Sequence, residues 1–326
     1  MPTSKPADRR AAANENAPIL ITMGEPGGVG PELAVRAWHK LKGRAGARPL
    51  RLVGDPDVFR ASGAIASDSV IATRAVSKPH QAGHAEPENA LAVTEAIEMA
   101  VDLATNGAAA AAVTAPIHKA AMIAGGFAFP GHTEFLAHLT GAERAVMMLV
   151  GADLRVVPLT IHEPIAKVPG LVTTRAIVET GEIVLAALRR DFGIARPRLA
   201  IAGLNPHAGE AGEIGREEID IIAPAVEALR GGGHNVQGPL PADTMFHAEA
   251  RARYDAALCM YHDQALIPIK TLAFWDGVNV TLGLPIVRTS PDHGTALDIA
   301  GTGKADLRSM LAAIDLAAKM ADARLG

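Results

Sequence analysis

Short apolar runs recur along this chain, and each stops abruptly at glycine, proline or polar residues. The clearest are PILITM at 18–23, LRLV at 50–53, AAAAV ending at 113, LRVVPLTI at 154–161, LAIAGLNP at 199–206, ALCM at 257–260 and VNVTL at 278–282. Runs of this length suit buried strands better than helices. Between them lie stretches with helical spacing, such as ELAVRAWHKL at 32–41 and residues 88–105, where Leu91, Ile97, Met99, Val101 and Leu103 recur. Strands alternating with helices imply a largely parallel sheet in an α/β fold. An open sheet of that kind presents functional groups beyond the ends of its strands, so the residues just after each run are the first to inspect.

With 326 residues and 49% hydrophobic content, the chain exceeds what one core usually supports, and two domains are expected. A formal charge of -4, a pI near 6.3 and only 3% aromatic residues provide neither the basic field nor the stacking platform of a nucleic-acid binder. The single cysteine, Cys259, sits inside an apolar run; it reads as a buried strand thiol in a reducing compartment. Residues 1–17 are small and polar, with no apolar core after Arg9 and Arg10, and read as a disordered tail rather than a signal peptide. No run is long enough for a transmembrane helix. A cytoplasmic protein without a membrane partner is expected.

The first run leads into GEPGGVGPE at 24–32. Its glycines do not match G-x-G-x-x-G; Pro31 suits a first helical position and Glu32 the positive helix end. The turn is either a tight strand-to-helix connection or a loop lining a cleft. After the run ending at 113 come His118 and Lys119, then Gly131, His132 and Thr133 ahead of an apolar helical stretch. Here Thr133 is either a simple cap or, with His132, part of an anion site at a helix start.

Three further histidines close apolar runs: His162, His207 and His262. No H-E-x-x-H or C-x-x-C spacing advertises a metal. Each alone is a hydrogen-bonded strand-end histidine or a ligand. Three imidazoles with open positions would make a catalytic metal site rather than a structural one. Lys270, Asn279 and Arg288 follow within one segment. Taken singly they are solvated surface groups; taken together, a lysine and a planar arginine can clamp phosphate or carboxylate while an asparagine amide bonds a hydroxyl or amine.

MYHDQ, NVTLGLP and RTS-x-DHGTA, read with GHTEFLA, GLNPHAGE and GPLPADT upstream, resemble the 4-hydroxythreonine-4-phosphate dehydrogenases of pyridoxal phosphate biosynthesis, over about residues 19–320. The resemblance implies metal binding by His162, His207 and His262, and substrate binding by His132, Thr133, Lys270, Asn279 and Arg288. Asp263 is then a supporting group beside His262. It also implies a homodimer whose active site is shared between chains, and a divalent metal such as zinc, magnesium or cobalt, with manganese also compatible. HGTALDIAGTGKAD at 293–306 is similar to the cofactor loop of isopropylmalate and isocitrate dehydrogenases. On that likeness His293, Gly294, Asp298 and Asp306 face NAD, with Asp298 on the adenosine ribose, where a 2′-phosphate would meet its charge. A helix-capping turn with Asp298 exposed is the alternative.

The expected architecture follows those dehydrogenases: an α/β, two-domain open sheet with a cleft. Residues 18–135 plus 286–326 would form the cofactor side and 136–285 the metal and dimerisation side. The expected reaction is NAD-dependent oxidation of 4-phosphooxy-L-threonine at C3, followed by decarboxylation, with Asp243 of GPLPADT as proton acceptor or else a plain turn residue. Two rivals stand beside it. One is a relative acting on a phosphorylated four-carbon sugar acid or an aromatic cis-dihydrodiol; the other is a metal-dependent phosphoester hydrolase. A non-catalytic anion binder would have no use for open metal positions.

Overall fold

The computed structural model describes residues 15–78 and 81–326. Residues 1–14, most of the expected tail, lie outside the described residues. The first half of the chain supplies β1 (Ile19–Thr22), β2 (Arg44–Ala45), β3 (Arg48–Gly54), β4 (Val70–Ala72) and β5 (Ala111–Val113). The middle supplies β6 (Val146–Gly151), β7 (Leu154–Pro158), β8 (Arg198–Ala202), β9 (Asn235–Leu240), β10 (Ala256–Cys259) and β11 (Val278–Leu282), and β12 (Arg288–Pro291) follows. They join in one sheet of order β2-β3-β1-β5-β12-β11-β6-β7-β10-β8-β9, with β4 paired to β3.

Among the runs read as strands, β1, β5 and β10 bury every residue, which is the pattern of a sheet covered on both faces. Pairing is parallel from β4 through β3, β1 and β5 to β12, and again through β7, β10, β8 and β9. Between these blocks β11 and β6 run antiparallel to their neighbours. The first block gathers strands from the two ends of the chain; the second comes from the middle. The helix Arg308–Ala323 returns to pack on β12 and β5, which ties the C-terminus to the first block.

The three histidine-bearing runs become β7, β8 and β10, which are parallel neighbours in the order β7-β10-β8. Their C-terminal ends therefore lie side by side. Cys259 ends β10 fully buried, and burial pushes its thiol pKa up; it is a core residue. Among the described residues no helix is long and apolar enough to cross a membrane.

Candidate active site

A cleft of about 790 Å³ opens where the two blocks meet, and a smaller cavity of about 400 Å³ adjoins it. His132, Thr133, His162, Asn279, Arg288 and His293 all line the larger one, with Gly294 and Lys119. His162 lines both, and His262 with Asp263 lines the smaller.

Arg288 is the most constrained of these. As the first residue of β12 it is only 3% exposed. Its Nε and Nη2 donate to Thr114 Oγ1 at 3.1 and 2.6 Å, and its Nη1 donates to Thr281 Oγ1 at 2.8 Å. Both acceptors are neutral, and no carboxylate pairs with it among the described residues. A buried cation without a counter-ion is held at high desolvation cost; burial lowers its pKa to about 10. Such a group favours an incoming anion.

Its neighbours point the same way. The helix His132–Thr140 begins at Gly131, which has no side chain to cap the first-turn amides. Those N–H groups and the helix dipole favour an anion at the cleft. His132 Nε2 is buried and has no hydrogen-bond partner among the described residues. Burial, then the charges of Arg288 and Lys119, hold the His132 pKa well below the usual histidine range. Lys119 is exposed on the rim and has no ion pair among the described residues. His118 is spent as a helix cap, its Nδ1 accepting from Ala121 N at 3.2 Å.

Lys270 is not free to act as Arg288 is. It donates to the Asp292 carbonyl at 3.0 Å, forms a short ion pair with the Asp292 carboxylate and lies 5.6 Å from the Phe274 ring centroid. Asp292, which lines the cleft, is a partner that sequence reasoning missed, although it adjoins His293. Thr114 and Thr281 were missed as well, since nothing in the sequence marks a threonine as the anchor of an arginine.

On the loop after β12, His293 Nδ1 lies 2.9 Å from the Gly294 carbonyl. That contact requires a proton on Nδ1, leaving Nε2 buried and unpaired among the described residues. Asp298 is exposed in the single turn Leu297–Ile299. Asp306 accepts from Arg308 N at 2.8 Å and pairs with the Arg308 guanidinium, which lowers its pKa to about 2; it caps a helix. The first glycine turn meets this loop directly. Val29 N donates to Thr295 O at 2.9 Å, and a Cβ on Gly28 would fall 2.9 Å from that same oxygen. Only glycine allows that approach.

Of the three histidines, two come together. The His162 and His262 ring centroids are 5.8 Å apart. His262 Nδ1 contacts Asp263 Oδ1 at 2.7 Å, an arrangement that orients an imidazole so that its other nitrogen can ligate. Burial first, then Lys119 and His262, lower the pKa of His162, which favours the neutral imidazole that metal binding requires. His207 stands apart, exposed in the stretch Pro206–Gly212 after β8. Among the described residues no three His, Cys, Asp or Glu side chains are grouped as a metal requires. Imidazole donors suit a divalent ion, but one chain brings together two of these three histidines. Asp243 is exposed in the turn Ala242–Thr244, outside both cavities, and that turn packs against the His207 stretch.

Known proteins resemble this chain in sequence and fold. The 4-hydroxythreonine-4-phosphate dehydrogenase of Caulobacter vibrioides is 52% identical over 334 residues, spanning 94% of this chain and 98% of that protein. The crystal structure of 4-hydroxythreonine-4-phosphate dehydrogenase from Klebsiella pneumoniae matches with a TM-score of 0.83 at 38% identity, covering 94% of this chain and 100% of the other. A terephthalate 1,2-cis-dihydrodiol dehydrogenase from Burkholderia xenovorans LB400 matches with a TM-score of 0.68 at 30% identity, covering 93% and 98%. Residues 41–317 match the family described as pyridoxal phosphate biosynthetic protein PdxA, and this chain belongs to that family.

Proposed function

We propose that the chain oxidises the C3 alcohol of 4-phosphooxy-L-threonine with NAD, assisted by a divalent metal, to 2-amino-3-oxo-4-phosphooxybutanoate, which loses carbon dioxide to give 3-amino-2-oxopropyl phosphate. The observation that carries the reading is Arg288, a buried cation without a carboxylate partner among the described residues, beside a helix start with no side-chain cap and a His132 Nε2 that likewise has no partner among them. Together they suit a dianionic phosphate. Named dehydrogenases among its relatives support the oxidoreductase class.

In this reading His132, Thr133 and Arg288 bind the substrate's anionic groups, with Lys119 on the rim. Asn279 bonds its amine or hydroxyl. Lys270 acts through its pairing with Asp292, which it holds against the cleft wall. His293, Gly294 and Asp298 flank the cofactor, with Asp306 fixing the end of their loop. The C3 hydrogen leaves as hydride to the nicotinamide, and the hydroxyl proton goes to a base. A bound divalent ion such as zinc, magnesium or cobalt would lower the hydroxyl pKa and withdraw electrons from the new ketone during decarboxylation. His162 and His262 of one chain would hold it together with His207 of a second copy. His207 and Asp243 occupy adjoining turns after β8 and the edge strand β9, so both would serve the partner's site, with Asp243 as proton acceptor. Residues 18–135 with 286–326 would then move as a cofactor-side domain against 136–285, in a cytoplasmic homodimer.

The experiment is a comparison of alcohols by NADH formation. Remote phosphate binding should position C3 and so raise rate as well as affinity. We expect 4-hydroxythreonine without its phosphate to show kcat/KM lower by about 10³-fold, equivalent to about 4 kcal/mol, and the phosphorylated compound to yield carbon dioxide. Faster turnover of a dicarboxylate cis-dihydrodiol would move the assignment to the activity named for the Burkholderia protein. Phosphate release without NADH would make the chain a hydrolase.

A further inference from the structure

We infer that Glu218 is a positioning residue that fixes His207 for metal ligation; the inference rests on the reading of His207 as a ligand. Five successive residues, His207 to Ala211, have φ of +53, +52, +78, +44 and +56. Left-handed backbone costs an L-residue about 1–2 kcal/mol, and four of these five are not glycine. A run of that kind persists only where its surroundings over-determine it.

Glu218 supplies the constraint. It is 2% exposed. One carboxylate oxygen accepts from Leu204 N and Asn205 N, both at 2.7 Å, and the other accepts from Asn205 Nδ2 at 3.0 Å. The Asn205 amide also donates to Glu217 at 2.7 Å. No cation pairs with Glu218 among the described residues, so N–H donors from the root of the turn satisfy its charge. The turn lies against this carboxylate: a Cβ on Gly209 would come 2.6 Å from Glu218 Oε2, and one on Gly203 3.1 Å from Oε1. Glu218 itself opens a wide, π-type turn, Glu218–Ile222, an irregularity frequent at functional sites.

The same root is tied to the other histidines. Gln264 Nε2 donates to Gly203 O at 2.8 Å, while Gln264 Oε1 accepts from Met260 N at 2.7 Å. The start of the His207 turn and the start of the His262 helix are therefore linked through one side chain. An exposed loop without a task would relax to ordinary backbone. Stiffness here removes the ordering cost that a flexible ligand would otherwise impose on metal binding.

The test titrates Co²⁺ into chelator-treated full-length protein by calorimetry and visible absorption, with far-UV circular dichroism to confirm folding. The unaltered protein should bind, and His207→Ala should bind far more weakly. Folded Glu218→Gln should bind about 10–100-fold more weakly, the range seen when a partner behind a ligand is lost, with an altered Co²⁺ absorption band. Unchanged affinity and spectrum in folded Glu218→Gln overturn the assignment. Should Glu218→Gln fail to fold, Asn205→Ala removes one of the three donors, and the same two readouts then decide in the same way. Absent binding by the unaltered protein, or unchanged binding by His207→Ala, overturns the ligand reading and this inference together. Unchanged binding confined to the Glu218 and Asn205 variants overturns this inference alone.

Discussion

At the scale of residues, burial moves the charge states of His132 in the cleft and Glu25 in the first glycine turn in opposite directions. His132 has its pKa depressed; it is held neutral, so the stability it confers is present above the unfolded value and declines as pH falls below that value. Glu25, 2% exposed in the first glycine turn, has its pKa raised to about 7, chiefly by burial. The folded state therefore binds more protons than the unfolded chain between the ordinary glutamate value of 4.5 and about 7, and stability attributable to Glu25 falls as pH rises through that window. Glu25→Gln removes the ionisation while keeping the acceptor for Gly27 N. In urea unfolding, the variant should gain on the unaltered protein by up to about 3 kcal/mol between pH 5 and pH 8. A stability difference that stays constant with pH would show that Glu25 ionises in the fold without cost.

At the scale of elements, β1, β3, β5, β7, β8, β10 and β11 were legible because each lies in a short, mostly apolar run, and so were the positions where the histidines fall, just past β7, β8 and β10; β2, β4, β6, β9 and β12 were not singled out. Strand order was not: β10 inserts between β7 and β8 through pairings that no local pattern encodes. Nor was the anchoring of Arg288, because Thr114 is distant in sequence and both Thr114 and Thr281 are chemically ordinary strand threonines. The left-handed turn was hidden for another reason. HAGEAG is rich in residues that favour right-handed helix, and only Gly209 and Gly212 hint otherwise. Two substitutions of opposite sign test that turn. Ala211→Gly puts glycine where φ is +56 and should stabilise by about 1 kcal/mol. Gly209→Ala adds a Cβ 2.6 Å from a carboxylate oxygen and should destabilise by about 2 kcal/mol or more. Denaturant midpoints read both, and a stabilising Gly209→Ala would show that the turn relaxes in solution.

At the scale of the whole molecule, one sheet carries both the cleft that holds Arg288 and the histidine-bearing strand ends, yet of the three strand-end histidines a single chain brings together His162 and His262 and leaves His207 apart. His207 and Asp243 lie beyond them, on the loops after β8 and the edge strand β9. The proposed two-fold dimer would resolve this, because a self-complementary interface exchanges the same residues in both directions. Mixing chains then has a definite arithmetic. In a heterodimer of a His207→Ala chain with a His262→Ala chain, one site loses both histidines and the other keeps both. Random re-assortment of equal amounts makes about half of the dimers mixed, each with one complete site, so about a quarter of the unaltered activity should return. Each variant alone should be inactive, since every site in it lacks a ligand. If all three ligands instead came from one chain, every site in the mixture would lack one, and verified heterodimers would be as inactive as their parents.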